Sequence, residues 1–257
     1  MRVVRCGWLL GLALGCLTST LSAQSLKDVA LPKASRRTPT SDGIKGDAEP
    51  SKPTRSPAST STEAMANRST ASDYERQVVA EMSLARTQPK RYATYLRALR
   101  PYFNGTRFEE PGKVTMLTNE GVRALDEAIA FLEAAEPQGP LAWSESLYLA
   151  ARDHAMDQSR SGATGHSGSD GSSMSQRIER YGTWSGTCAE NINYNDGDPR
   201  RTVIDLLVDD GVASRGHRRN IFNAALQVAG AAKASHRVYR MVCVIDYATA
   251  VKPKDGR

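Results

Sequence analysis

Beyond its first two dozen residues, the 257-residue chain has no long apolar run. No stretch there approaches the roughly 18 residues that a membrane-spanning helix needs, which excludes a polytopic membrane protein. An excess of one charge is also missing where it would count. The net charge is +6, but residues 1–23 contribute only Arg2 and Arg5, and residues 24–72 hold 8 basic and 5 acidic side chains. Residues 73–257 hold 24 basic against 23 acidic ones, so the folded region is close to neutral. The basic surface that nucleic acid demands is therefore absent, and no nucleic-acid partner is expected. No Gly-x-Ser-x-Gly elbow occurs, which removes hydrolases built on that nucleophile. Cysteine is sparse, four in all, and aromatic residues make up 6%. Hydrophobic residues still amount to 40%, enough for a core and too many for wholesale disorder.

The first 23 residues read as a secretory signal peptide. Arg2 and Arg5 precede an apolar stretch from Gly7 to Leu17, and the small residues Thr18, Ser19, Thr20, Ser22 and Ala23 follow, with cleavage expected after Ala23. A secreted or periplasmic location follows from this reading. Ala13-Leu14-Gly15-Cys16 resembles a bacterial lipobox with Ala13 in place of its usual Leu. The alternative is thus a protein lipid-anchored through Cys16. Residues 24–72 contain five prolines, many Ser and Thr, and no aromatic residue. Such a segment cannot bury enough apolar surface to offset its chain entropy, so a disordered linker is expected. Residues 73–252 are expected to form the folded domain. Within it lie Cys188 and Cys243, and two cysteines in an exported domain are expected to pair as a disulfide.

Helix signals dominate the first part of the domain. Asp73 can cap a helix to about Thr87, Pro89 suits the first turn of a second through Leu99, and a third runs from about Asn119 to Ala135. Ser144 opens a fourth, and Asp198-Pro199 starts another that continues to about Asp210. The later segments alternate instead: Cys188 to Tyr194, Leu226 to Ala232 and Val238 to Ala248 read as strands. In the last of these both faces are apolar, which places it under cover on both sides. The expected fold is α+β, an α-β-α sandwich with a small antiparallel sheet between helical layers.

Four segments carry candidate chemistry: Gly165-His166-Ser167, Ala189-Glu190-Asn191-Ile192, Leu207-Val208-Asp209-Asp210, and Gly216-His217-Arg218-Arg219-Asn220-Ile221. Glu190 shares a strand face with Cys188, Ile192 and Tyr194, and a carboxylate on a buried face needs a cation or a metal as partner. Asp210 continues the helical stripe of Val203, Leu206 and Leu207. Two imidazoles and two carboxylates could hold a divalent ion such as zinc, or could form a pH-sensitive cluster without one. His154 reads as a core-facing helix residue and His236 as a hairpin-turn residue.

The order of these motifs resembles the CAP superfamily of cysteine-rich secretory, antigen 5 and pathogenesis-related proteins. It is closest in kind to the bacterial secreted branch built on the SCP domain. The resemblance begins at the Arg86–Leu96 segment, Arg-Thr-x-Pro-x-x-Tyr-Ala-x-Tyr-Leu, and covers about residues 74–250. It implies an α-β-α sandwich with a large cleft and a His/Glu tetrad on the cleft floor. His166 matches the first tetrad histidine, Glu190 the glutamate of Gly-Glu-Asn (with Ala189 for its glycine) and His217 the second histidine. Where the family often has Trp-x-x-Glu, this chain has Leu207-Val208-Asp209-Asp210, so Asp210 matches by spacing and Asp209 is the neighbouring choice. The resemblance implies a metal set of His166, Glu190, Asp210 and His217 and an extracellular partner: a small molecule, lipid, glycan or cell-wall component. Three functions follow: a secreted binding module, a metal-dependent hydrolase with Glu190 as general base, or a structural envelope or stress protein.

Overall fold

The computed structural model describes residues 70–254. The signal-peptide reading, Cys16 and the linker up to residue 69 lie outside the described residues. The described part opens with α1 (Asp73–Thr87), α2 (Pro89–Leu99) and a 3₁₀ turn at Arg100–Tyr102. Three two-residue strands follow, β1 (Phe103–Asn104), β2 (Arg107–Phe108) and β3 (Met116–Leu117). Then come α3 (Val122–Ala134), β4 (Ala142–Trp143), α4 (Glu145–Ser161), α5 (Met174–Ile178) and β5 (Gly182–Asn193). The chain ends in α6 (Pro199–Val208), α7 (Gly216–Ile221), β6 (Val228–His236) and β7 (Arg240–Pro253).

Most helix boundaries follow local chemistry. Ser144 caps α4 with its hydroxyl oxygen accepting from the Leu147 N–H, and Asp198 caps α6 by accepting from Arg201 N–H ahead of Pro199 at the first helical position. At α1 the cap is Ser72 rather than Asp73, because the Glu75 carboxylate reaches back to the Ser72 N–H and hydroxyl.

The main sheet has the order β4-β6-β7-β5, and a second, three-stranded sheet joins β1, β2 and β3. The three long strands of the main sheet are antiparallel, while the short edge strand β4 runs parallel to β6. One face of the sheet, carrying Ala229, Ala231, Cys243, Ile245 and Tyr247, packs on α1, α2, α3 and α6. The opposite face, carrying Ile192, Ala232, Val242, Val244 and Ala248, packs on α4 and α5. The molecule is therefore an α+β sandwich with the sheet between helical layers. The central strand β7 is buried continuously from Met241 to Ala248, as a strand covered on both sides must be. The approach of β6 to α4 requires Gly230, where any Cβ would stand 2.1 Å from the Tyr148 backbone nitrogen.

The expected disulfide does not fit this register. Cys188 of β5 faces Ala248, and Cys243 of β7 faces Asn193, so the two cysteines sit five positions apart along one strand pair and on opposite faces. Both are free thiols, and a bridge cannot span that separation without unpairing the strands.

Candidate functional site

His166 lies in the loop between α4 and α5, and four carbonyls of that loop, those of Ala163, Gly165, His166 and Ser172, are held by buried side chains. The buried His236 ring lies 3.0 Å through Nε2 from the Ala163 carbonyl. The Gly165 carbonyl accepts from Gln158 Nε2 at 2.6 Å and lies 2.8 Å from His154 Nε2, while the Gly165 N–H donates to the Tyr194 hydroxyl at 2.9 Å. Arg177 Nη1 donates to the carbonyls of His166 (3.1 Å) and Ser172 (2.9 Å). His154, expected against the core, is fully buried there. His236 ends β6 at the hairpin and is equally enclosed.

This clamped loop sets the imidazole over Glu190. His166 Nδ1 lies 2.7 Å from Glu190 Oε1, with the ring 61% exposed and the carboxylate 2%. Arg177 Nη2 donates to the other oxygen, Oε2, at 2.7 Å. Burial pushes the Glu190 carboxyl upward, but the bonds from His166 and Arg177 outweigh it and hold the carboxyl below its ordinary range. An ionised Glu190 can only accept, so His166 donates through Nδ1–H, and in the neutral ring Nε2 carries the lone pair. The cation expected for Glu190 is thus Arg177.

The second pair is built at the junction of α6 and α7. Helix α6 stops at Val208 because Asp209 turns into the left-handed region, φ 54°, and Arg215 does the same at φ 51°. Asp209 then accepts from the His217 N–H through Oδ2 at 2.9 Å and meets His217 Nδ1 through Oδ1 at 2.6 Å. Here the ring is 26% exposed and the carboxylate 2%. Asp210 does not join this group. Its oxygens accept from the backbone N–H groups of Asn119 and Glu120, at 2.6 and 2.8 Å. The helical spacing that singled out Asp210 ends two residues before it, and the left-handed turn puts Asp209 against the imidazole instead. Arg215 and Arg218 are engaged by Glu120, Glu127 and the carbonyls of Leu207, Val208, Asp209 and Val212.

The two pairs are joined through the edge strand β5. Neighbouring residues of a strand point to opposite faces: Glu190 goes towards α4 and α5, and Asn191 to the other side. Asn191 Nδ2 donates to the His217 carbonyl and to the Tyr247 hydroxyl, both at 3.1 Å, and Asn220 Nδ2 donates to Asn191 Oδ1 at 2.8 Å. A cavity of about 330 Å³ adjoins the second pair, lined by His217, Asp209, Ile192, Leu206, Phe108 and Met116 among others. His166 is not part of its lining.

Of the four expected metal residues, His166 and Glu190 meet, His217 meets Asp209, and Asp210 stands apart. Among the described residues no three histidine, cysteine, aspartate or glutamate side chains gather as a ligand set. Both carboxylates already spend both oxygens on hydrogen bonds. Neither imidazole uses Nε2 within the described residues. Sequence reasoning passed over Arg177, Asn220 as a clamp, and Asp246, the fully buried partner of Glu190 across β5 and β7. For Asp246 a signal existed: a lone carboxylate inside Val242–Ala248, the same argument that singled out Glu190.

The family model described as "CAP: Cysteine-rich secretory protein family" matches residues 95–247. No curated protein matches the chain. Among solved structures, it is similar to an outer surface protein from Borrelia burgdorferi at 17% identity and a TM-score of 0.37, over 46% of this chain and 80% of the other. It is also similar to an extracellular SCP-domain protein from Bacillus anthracis strain Ames at 20% identity and a TM-score of 0.35. That match spans 43% of this chain and 34% of the other.

Proposed function

The chain belongs to the cysteine-rich secretory protein family, and from that premise we propose that it is an exported binding module. In this reading two carboxylate-backed histidines hold a divalent cation, and an extracellular ligand such as a lipid, glycan or cell-wall component is bound beside it. One observation carries the proposal: each imidazole spends Nδ1 on a buried carboxylate and keeps Nε2 for an outside partner. Carboxylate–histidine pairs of this kind fix the tautomer and raise the basicity of a metal-binding ring. His166 and His217 would be the ligands, and Glu190 and Asp209 would orient them. A bound cation would supply Lewis acidity towards a ligand oxygen. The cavity beside His217, with Phe108, Met116 and Leu206 in its wall, offers apolar surface to the rest of a ligand.

Zinc titration calorimetry on the full chain tests this, beside a His166→Ala/His217→Ala variant. Stoichiometric binding that the double variant loses is the expected result. Equal heats from both proteins, or none from either, would sink the metal reading.

A further inference from the structure

Asp246 is the polar group that the two histidine–acid pairs leave unexplained. It lies on β7 directly opposite Glu190 of β5, with Gly230 of β6 on its other side. Residues directly opposed across a strand pair project to the same face with their Cβ atoms about 4.5–5.5 Å apart, so the two carboxyl groups share one buried space under α4 and α5. Among the described residues no donor reaches either oxygen of Asp246, although the residue is completely buried. The charged and titratable groups facing this space are Arg177 from α5, His154 from α4, and Glu190 and the Cys188 thiol from β5. Gly230 contributes none.

The charge arithmetic of that space is simple. Arg177 balances one carboxylate, and Glu190, bonded to both Arg177 and His166, is the better stabilised of the two. A second carboxylate without a donor would be an uncompensated charge at a fully buried position, which proteins avoid by keeping the acid neutral. Its proton then has an acceptor at hand. Each Glu190 oxygen has two lone pairs and uses one.

We propose that Asp246 is a positioning residue: as a neutral acid it donates a hydrogen bond to Glu190 and so holds His166 in its Nδ1–H form. Burial, followed by the facing Glu190 charge, raises the Asp246 carboxyl well above its ordinary range, in agreement with this assignment. The role concerns the metal-free protein and stands apart from whether a cation binds.

The experiment compares the full chain with Asp246→Asn, whose amide can still donate, and Asp246→Leu, which cannot. Imidazole nitrogen NMR on histidine-labelled protein reads the tautomer, with His166 assigned by its loss in His166→Gln. Asp246→Asn should keep the His166 Nδ1–H pattern. Asp246→Leu should turn it into a mixture and leave His217 unchanged. Infrared difference spectra supply a second readout that does not depend on Asp246→Leu folding. The unaltered chain at neutral pH should show the C=O stretch of a protonated carboxylic acid that Asp246→Asn lacks. Absence of that band, or a tautomer shifted as far by Asn as by Leu, would overturn the proposal.

Discussion

Removing one member of the Arg177–Glu190 pair strands the other away from water. Both side chains are 2% exposed, so Arg177→Leu should cost about 3–5 kcal/mol in urea unfolding. A loss below about 1 kcal/mol would mean that water reaches the pair. The two facing acids also leave opposite marks on the pH dependence of stability. Glu190 is lowered in the folded state, so its contribution is complete above its unfolded value and is lost as pH falls through the folded one. Asp246 is raised, so the folded protein holds a proton that the unfolded chain releases above about pH 3.9. Stability from that source falls as pH rises towards the folded value. Asp246→Asn should therefore gain stability relative to the unaltered chain as pH rises from about 4 towards neutrality. A difference flat with pH would show that Asp246 titrates normally.

At the scale of elements, the turn between α6 and α7 determines which acid meets His217. Asp209→Ala removes both bonds to that histidine, whereas Asp210→Ala removes acceptors for the Asn119 and Glu120 backbone and the Asn119 side-chain amide. Zinc calorimetry should therefore register a loss for the first variant and none for the second, which should cost only about 1 kcal/mol of stability. Equal effects would restore Asp210 to the site. The helices themselves were legible because their start signals are local: Ser144, Pro89 and Asp198-Pro199 act within one turn. The choice between Asp209 and Asp210 was not, because periodicity carries on through a residue that adopts a left-handed conformation without glycine. Packing between elements is equally hidden at Gly230. There Gly230→Ala should cost at least the roughly 1–3 kcal/mol of ordinary overpacking, since the obstacle is the α4 backbone.

For the whole molecule, the thiols report on the sheet. Burial raises Cys188 to about 11 and Cys243 to about 12, so neither offers a thiolate near neutral pH in the folded state. Alkylation of the unfolded chain without reductant should label both positions in peptide mapping, and an unlabelled pair would mean that the strand register is different. The layered fold and the order of its motifs could be read from the sequence, since burial patterns and the four polar segments are properties of single stretches. The disulfide could not, because strand register joins residues more than fifty positions apart. The same holds for Asp246, whose meaning depends on the strand beside it. Within the described residues no helix is long and apolar enough to cross a membrane.

Strand β5 serves the two half-sites by parity. Glu190, an even position, anchors the His166 loop on one face, and Asn191, the odd position after it, anchors the His217 turn on the other. Upstream, the register shifts between Ser185 and Cys188, where Gly186 takes φ 79°. An extra residue can thus be absorbed there before the alternation reaches Glu190. A slip of one residue beyond that point would exchange the faces, sending the carboxylate towards Tyr247 and the amide towards Arg177. Both histidines would lose their supports in one event, so the paired site can be assembled only on the strand alignment that also closes the core.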